Sequence, residues 1–226
     1  MVMVPVAAVV CLAVGGSWLG LGYQHYLLVD GVINQCNVSV LLMLLFLCIN
    51  LVVCLWELCL CYRYKLIRAT HAKRVKDGQT RAASVVVFRM MHLSEILSPS
   101  FWANIWIDYA RFDPAYADSR SAGYNIDVGN GHSTLLPTLF LMASMVRPLV
   151  GAKTTGIVGL LMYYQMMYGT FVYFFSFFNN GSHKAISTTE LVAAILSPSI
   201  VWIVFPLLGM VDCTRLIMDD NFSAWQ

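Results

Sequence analysis

The sequence predicts an all-α integral membrane protein, a bundle of five transmembrane helices, and three observations support this prediction. The 226 residues are 59% hydrophobic and 12% charged, with a mean hydropathy of +0.69, whereas about 25% of residues are charged in ordinary soluble domains. Five apolar stretches approach or exceed the ~20 residues that a helix needs to cross a bilayer. One substantial polar region lies between them, so we expect a single membrane domain over 1–226.

The five predicted spans differ in strength. The second is the strongest, because Val38 to Cys61 contains one charged side chain, Glu57. The third is the weakest, because it is short, contains Pro137 and ends at Arg147-Pro148. The first is interpreted as a retained helix, since no Lys or Arg precedes its apolar core as in a secretory signal. The predicted spans cover 3–23, 38–62, 133–150, 155–178 and 191–217.

The loop at 63–132 is basic in its first part and aromatic in its second. Ten of the 14 Lys and Arg residues lie in 62–132, so the positive-inside rule predicts that this loop and the N-terminus face the cytoplasm or a mitochondrial matrix. The basic part, Arg63 to Arg89, either binds anionic headgroups, at about 1 kcal/mol per basic residue, or simply flanks the second span. The aromatic part predicts an amphipathic interfacial helix that ends before Pro114.

Several classes of site are not indicated. The seven cysteines form no CxxC pair, and most lie in apolar runs where a thiol behaves as a small hydrophobe. We therefore expect no disulfide framework, no metal site and no cofactor. The clustered cations are explained by membrane topology, so no nucleic-acid partner is expected either.

A motif in the aromatic part of the loop resembles a known family. Its spacing is W-x-x-Y-A-x-x-D-x-x-Y, formed by Trp106, Tyr109, Ala110, Asp113 and Tyr116. This pattern resembles the emopamil-binding protein family, the sterol Δ8-Δ7 isomerases of the EXPERA superfamily.

The C-terminal half carries two further motifs in the same order as in that family. They are Tyr168-Gly169-x-x-x-Tyr173-Phe174 and Trp202-x-x-x-Pro206, the latter followed by Asp212 and Arg215. The resemblance covers about 45–218. It implies a five-helix membrane bundle with a cavity that holds a sterol, or a cationic amphiphile in its place.

The resemblance also implies catalytic positions, and the expected residues are missing from them. The family carries a His and a Glu on helix two, a second Glu near the start of helix three, and an Asn with a Trp on helix five. These positions fall on Asn50, Cys54, Gly131 and Ser199, and only Trp202 is retained. Neither an amide nor a buried thiol can protonate an unactivated alkene, so we expect no catalytic residue at these positions.

Three polar groups are open to simple structural interpretations. We expect Glu57 to extend towards the basic interface formed by Arg63 and Lys65. His132 is interpreted as an interfacial histidine. Asp212 and its neighbour three residues on are expected to form an ion pair at a helix end.

Three functional hypotheses follow. The favoured one is a non-catalytic relative that serves as an accessory subunit of a larger membrane complex. Its partners are then other membrane-protein subunits, with a respiratory complex of the mitochondrial inner membrane as the first to test. The second is a sterol isomerase of the endoplasmic reticulum with a rearranged site that uses Glu57, Asp127 or His132. The third is a binder of sterol or anionic phospholipid without chemistry. Its residual pocket consists of Asn50, Cys54, Trp106, Tyr109 and Trp202.

Overall fold

Long apolar helices dominate the fold in a computed structural model of the chain, which describes residues 2–28, 37–78 and 85–225. Four are long and apolar enough to cross a membrane. They are α1 (Val6–Leu28), α2 (Val38–Tyr62), α8 (Ala152–Asn179) and the continuous helix Thr188–Asp219. The all-α prediction is confirmed, and four of the five predicted spans coincide with these helices.

The predicted third span, 133–150, corresponds to a shorter helix. Here α6 (Ala122–Ser133) ends and, after Thr134, the 12-residue apolar α7 (Leu135–Val146) begins. It stops because the residue before a proline is disfavoured in the α conformation, and Arg147 is accordingly extended. By length α7 falls short of the ~20 residues of a full crossing.

The loop between α2 and α6 is folded. It contains α3 (Tyr64–Lys76), α4 (Leu93–Ile96) and α5 (Ala103–Tyr109). Two three-residue strands, β1 (Met3–Pro5) and β2 (Met90–His92), pair antiparallel and join the start of the chain to this loop. Residues 79–84 of its basic part lie outside the described residues.

The predicted interfacial helix is shorter and more buried than expected. It forms as α5, over seven residues, and Ala103, Trp106, Ile107 and Asp108 are all buried. An interfacial helix with one face in lipid would leave more of its surface exposed. The aromatic side chains of this segment therefore pack mainly within the protein.

The continuous C-terminal helix changes its winding at its start. It comprises α9 (Thr188–Glu190), a π-helical segment (Leu191–Leu196) and α10 (Ser197–Asp219). Pro198 lies at the junction of the π-helical segment and α10 and has no N–H for the carbonyl of Ala194, four residues earlier. Such π-helical turns are frequent at functional sites.

The core has two main parts, one at each end of the bundle. One part packs the first half of α2 against α7, the start of α8 and the end of α10. The other packs the end of α2 against α3, α5, α6, the end of α8 and the π-helical segment. The helices α8 and α10 approach closely because glycines face their partners, with Gly209 lying directly against the ring of Tyr163.

Candidate functional site

A cavity of about 250 Å³ lies in the part of the bundle where α2 ends. Its walls come from α2, α5, α6, α8 and α10, together with the short 3-10 helix at Pro114–Ala117. Two carboxyl groups, Glu57 and Asp127, line it. Six aromatic rings surround them: Trp56, Trp106, Tyr109, Tyr116, Tyr173 and Trp202.

Glu57 lies inside the protein, and the expectation that it extends towards Arg63 and Lys65 is wrong. The residue is 6% exposed and faces the cavity. The cause is the close packing of α6 on α2, which Gly131 permits. A Cβ atom at Gly131 would lie 2.7 Å from the Cβ of Glu57 and 3.1 Å from the backbone nitrogen of Leu58.

Asp127 lies on α6, one turn before Gly131, and faces the same cavity. Burial raises the pKa of its carboxyl group from the ordinary value to about 7, a hydrogen bond from Tyr116 opposes this rise, and the charge of Asp113 adds to it. The charge of Asp127 also acts on Glu57. The two carboxyl groups thus face the same cavity.

Asn50 and Cys54 do not line this cavity, contrary to the predicted residual pocket. The amide Nδ2 of Asn50 donates to the hydroxyl of Thr138 at 2.9 Å and to the Cys54 sulfur at 3.5 Å. The same sulfur lies 3.2 Å from the hydroxyl of Thr134, and Trp202 Nε1 donates to Asn50 Oδ1 at 3.3 Å. These side chains therefore join α2 to α7 and α10.

Neither of the other two implied catalytic positions is available for acid–base chemistry. A glutamate at Gly131 has no space, as the distance to Glu57 shows. Ser199 does line the cavity, but its hydroxyl donates to the carbonyl of Ile195 at 2.6 Å. This hydrogen bond stays within the C-terminal helix, next to the π-helical segment.

The remaining predicted pocket residues do line the cavity, and two of them also hold its walls in place. Trp106 Nε1 donates to the carbonyl of Trp56 at 2.6 Å, which joins α5 to α2. The hydroxyl of Tyr109 donates to the carbonyl of Ala194 at 3.1 Å. Pro198 has no N–H to donate to the carbonyl of Ala194, and the hydroxyl of Tyr109 donates to this carbonyl instead.

Asp113 and Tyr116 complete this part of the site. The side chain of Asp113 accepts a hydrogen bond from the backbone N–H of Ala115 at 3.1 Å and so caps the short helix at Pro114–Ala117. Burial raises the pKa of the Asp113 carboxyl group. This helix in turn places the buried Tyr116 against the cavity, where its ring lies 5.0 Å from that of Trp106.

The motif residues near the end of α10 lie away from the cavity. Pro206 is buried within α10. Asp212 is buried, whereas Arg215 is exposed, although the charge of Arg215 still acts on the Asp212 carboxyl group. The predicted ion pair between them is absent from the salt bridges of the described residues.

His132 also lies away from the cavity. It is exposed, its Nδ1 lies 2.7 Å from the carbonyl of Val128, and its Nε2 lies 3.4 Å from the hydroxyl of Tyr62. Of the three residues proposed for a rearranged site, the structure brings Glu57 and Asp127 together and leaves His132 outside.

Sequence reasoning did not single out several residues that line the cavity. They include Asn130 and Thr170, and Tyr173, which was noted only as part of a motif. A signal was available on α6, where Gly123, Asp127 and Gly131 recur every fourth residue. Two small residues on one face of a helix indicate close packing, and the acid between them must then point into the protein.

Comparisons with known proteins give one limited match. No family model and no solved structure matches the chain. Over 121 residues it is 30% identical to an isomeliandiol synthase from Melia azedarach, which corresponds to 53% of this chain and 55% of that protein. The chain thus aligns with about half the length of this curated relative.

Among the described residues there is no group of His, Cys, Asp and Glu side chains that could hold a metal ion.

Proposed function

We propose that the protein is a membrane isomerase that moves a carbon–carbon double bond in a ring-containing lipid of the sterol or triterpenoid class. The observation that carries this proposal is the presence of Glu57 and Asp127 in one cavity walled by aromatic rings. Ionisable groups placed among apolar helices are costly and usually have a function. The second sequence hypothesis, a rearranged isomerase, is therefore the one that the cavity favours.

The chemistry requires one group that gives a proton and one that takes a proton. A neutral carboxylic acid protonates one alkene carbon, which leaves a carbocation on the neighbouring carbon. A carboxylate then removes a proton from a carbon next to the cation, and the double bond re-forms there. Asp127 then loses this proton to water and Glu57 regains one from water, which restores the starting state, so the reaction needs no external oxidant or reductant.

Hydrogen bonding distinguishes the two roles. Asp127 accepts a hydrogen bond from Tyr116, which stabilises its ionised form, so we assign it as the base. The carboxyl group of Glu57 faces the same cavity, and we assign it as the proton donor.

The walls of the cavity suit the intermediate and the substrate. Aromatic faces attract a cation within about 6 Å of the ring centroid, and three tryptophans and three tyrosines line this cavity. A volume of about 250 Å³ is somewhat below the ~300–1,000 Å³ typical of small-molecule sites. We infer that the cavity holds the part of the lipid that contains the double bond, while the rest extends towards the bilayer.

The membrane arrangement in this proposal retains five crossings. In addition to the four long helices, the third crossing in chain order is formed at 133–150, where α7 follows the end of α6. Five crossings place the start of the chain and the loop 63–132 on one side and the end of α10 on the other. The pairing of β1 with β2 supports this, because it brings the start of the chain to that loop. The endoplasmic reticulum is the compartment that we propose for the isomerase.

The matched relative gives limited support. Its name makes it an enzyme that forms isomeliandiol, and the similarity covers about half of each protein. An enzymatic function for the present chain is consistent with that similarity, and the substrate of this chain remains part of the proposal.

The decisive experiment is conversion of a defined lipid by the purified chain in reconstituted vesicles. A Δ8-sterol and a tetracyclic triterpenoid alkene are supplied in deuterated water, and the products are analysed by mass spectrometry. We expect an isomer of unchanged composition that carries one solvent deuteron. Glu57→Gln is expected to lower the rate at least about 100-fold, since a positioned acid contributes about 10²–10⁴.

The matched control is Glu95→Gln, the same substitution at an exposed residue of α4, which is expected to leave the rate unchanged. If the wild-type chain converts neither lipid, or if both variants behave alike, the proposed function is rejected.

A second candidate is the accessory-subunit role, and one observation favours it. Only 6% of the residues in the apolar window of α1 are buried within the chain, so the side of this helix that does not pack on α2 is available to lipid or to another membrane subunit. Purification in mild detergent tests this role. Co-migration with fixed partners would support it, and migration as a free monomer would reject it. The respiratory-complex partner and the mitochondrial inner membrane stay predictions.

A further inference from the structure

The helix α3 begins almost directly after the end of α2. The helix α2 ends at Tyr62, one non-helical residue follows, Arg63, and α3 starts at Tyr64. Because α2 is long and apolar enough to cross a membrane, a bilayer around α2 would have its boundary between hydrocarbon and headgroups close to the start of α3.

The end of α3 is attached to α5, and α5 is attached to α2. Arg74, in its last turn, forms a salt bridge of 2.9 Å with Asp108 of α5, whose side chain is fully buried. Next to Asp108, Trp106 donates to the carbonyl of Trp56, six residues before the end of α2. That position is about 9 Å inside the end of α2 at ~1.5 Å per residue. Both ends of α3 are thus attached to elements that pack against the last turns of α2.

One side of α3 faces the protein, and Ile67 on that side is completely buried. The outer side is basic. Its exposed cations are Arg63, Lys65, Lys73 and Lys76, and none of them takes part in a salt bridge among the described residues. Leu66 is also about half exposed on this side of the helix. We call these five residues the outer face of α3.

Two other cations of α3 are excluded from this face. Arg74 is bound to Asp108. Arg68 lies close enough to Asp118 for its charge to act on that carboxylate. The cations that lack an acidic partner are thus those on the outer face.

We propose that the outer face of α3 binds the anionic phospholipid headgroups of the adjacent leaflet. Charge complementarity supports this partner, because clustered Lys and Arg beside a span attract anionic lipids. The exposed Leu66 adds an apolar side chain that enters the boundary between headgroups and acyl chains. The proposal does not depend on the isomerase activity, because no residue of this face lines the cavity.

The test measures lipid selectivity of the full chain in phosphatidylcholine vesicles. Spin-labelled phosphatidylglycerol and phosphatidylcholine are compared by electron paramagnetic resonance. We expect at least about a twofold preference for phosphatidylglycerol at low ionic strength, weakened by salt because such attractions are screened. Replacement of the three lysines (Lys65→Gln, Lys73→Gln and Lys76→Gln together) is expected to remove most of the preference.

The control removes three cations elsewhere: Arg147→Gln, Lys153→Gln and Lys184→Gln together. These residues are exposed and flank α8 or lie near its ends. An equal loss in both triple variants would show a general effect of net charge and would overturn the proposal. So would displacement by inorganic phosphate beyond that by sodium chloride of equal ionic strength, since the face would then bind free phosphate. If the lysine variant fails to fold, the wild-type chain still tests the proposal. A wild-type chain that shows no preference for phosphatidylglycerol, or a preference that salt does not weaken, overturns it.

Discussion

Two turns of α2 carry polar side chains, and they do different things. At Asn50 and Cys54 the polar atoms bond to hydroxyls of α7 and to Trp202, which joins three helices. At Glu57, one turn further on, the carboxyl group faces a cavity that also contains Asp127. Polar groups that satisfy one another stabilise a membrane bundle, whereas acids that face a shared space are available for chemistry. If the proposed isomerase function is correct, the reactive position lies one turn beyond the position that the family resemblance implies.

The largest effect is expected on isomerase activity, which should depend on the pair of carboxyl groups and not on the turn at Cys54. Asp127→Asn removes the base but keeps the shape of the side chain, so we expect isomerase activity to fall by about 10²–10⁴. Cys54→Ser keeps a hydroxyl opposite Thr134 and is expected to change the rate less than about threefold, because Cys54 does not line the cavity. Initial rates in reconstituted vesicles measure both. A larger loss in the Cys54 variant would return the site to the implied position.

The dependence of the rate on pH sharpens the role of Asp127. Its carboxyl group must be ionised to remove a proton, and its pKa is raised to about 7. The rate at low substrate concentration is therefore expected to rise with pH through about 7. Tyr116→Phe removes the hydrogen bond that lowers this pKa, so the rise should move to higher pH. A rate that falls through the same range would make Asp127 the proton donor instead.

Composition and apolar length were sufficient to predict most of the bundle. The predicted spans 38–62, 155–178 and 191–217 match helices that run over 38–62, 152–179 and 188–219, because uninterrupted apolar length defines a membrane helix. The third span was harder to predict, since Thr134 and Pro148 divide and end it locally. Length and hydropathy do not report such breaks.

The site was predictable only in part. Trp106, Tyr109 and Trp202 line the cavity, and each belongs to a motif that can be read in the sequence alone. The direction of Glu57 was not predictable from α2 alone. It depends on the contact with Gly131 of another helix, and contacts between helices are not contained in the periodicity of either one.

The packing behind that contact gives the next prediction. Gly131→Ala places a Cβ against Glu57 and the backbone of Leu58, so α6 must move away from α2. We expect a loss of about 1–3 kcal/mol in the free energy of unfolding, as for other overpacked sites, and a lower rate because the carboxyl groups separate. Gly129→Ala is the matched control, since nothing lies within 4 Å of its added Cβ. Unfolding in mild detergent compares them, and equal stabilities would contradict the close approach of the two helices.

The smallest expected effect tests the turn at Asn50. Thr138→Val keeps the size of the side chain but removes the hydroxyl that accepts a hydrogen bond from Asn50. Hydrogen bonds between membrane helices contribute about 0.6 kcal/mol on average and at most about 1.7, so we expect a loss of stability within that range. The rate and its dependence on pH should stay unchanged, because Thr138 does not itself line the cavity. A changed pH dependence would mean that the network at Asn50 and the pair of carboxyl groups are coupled, and the two turns of α2 would then form one site.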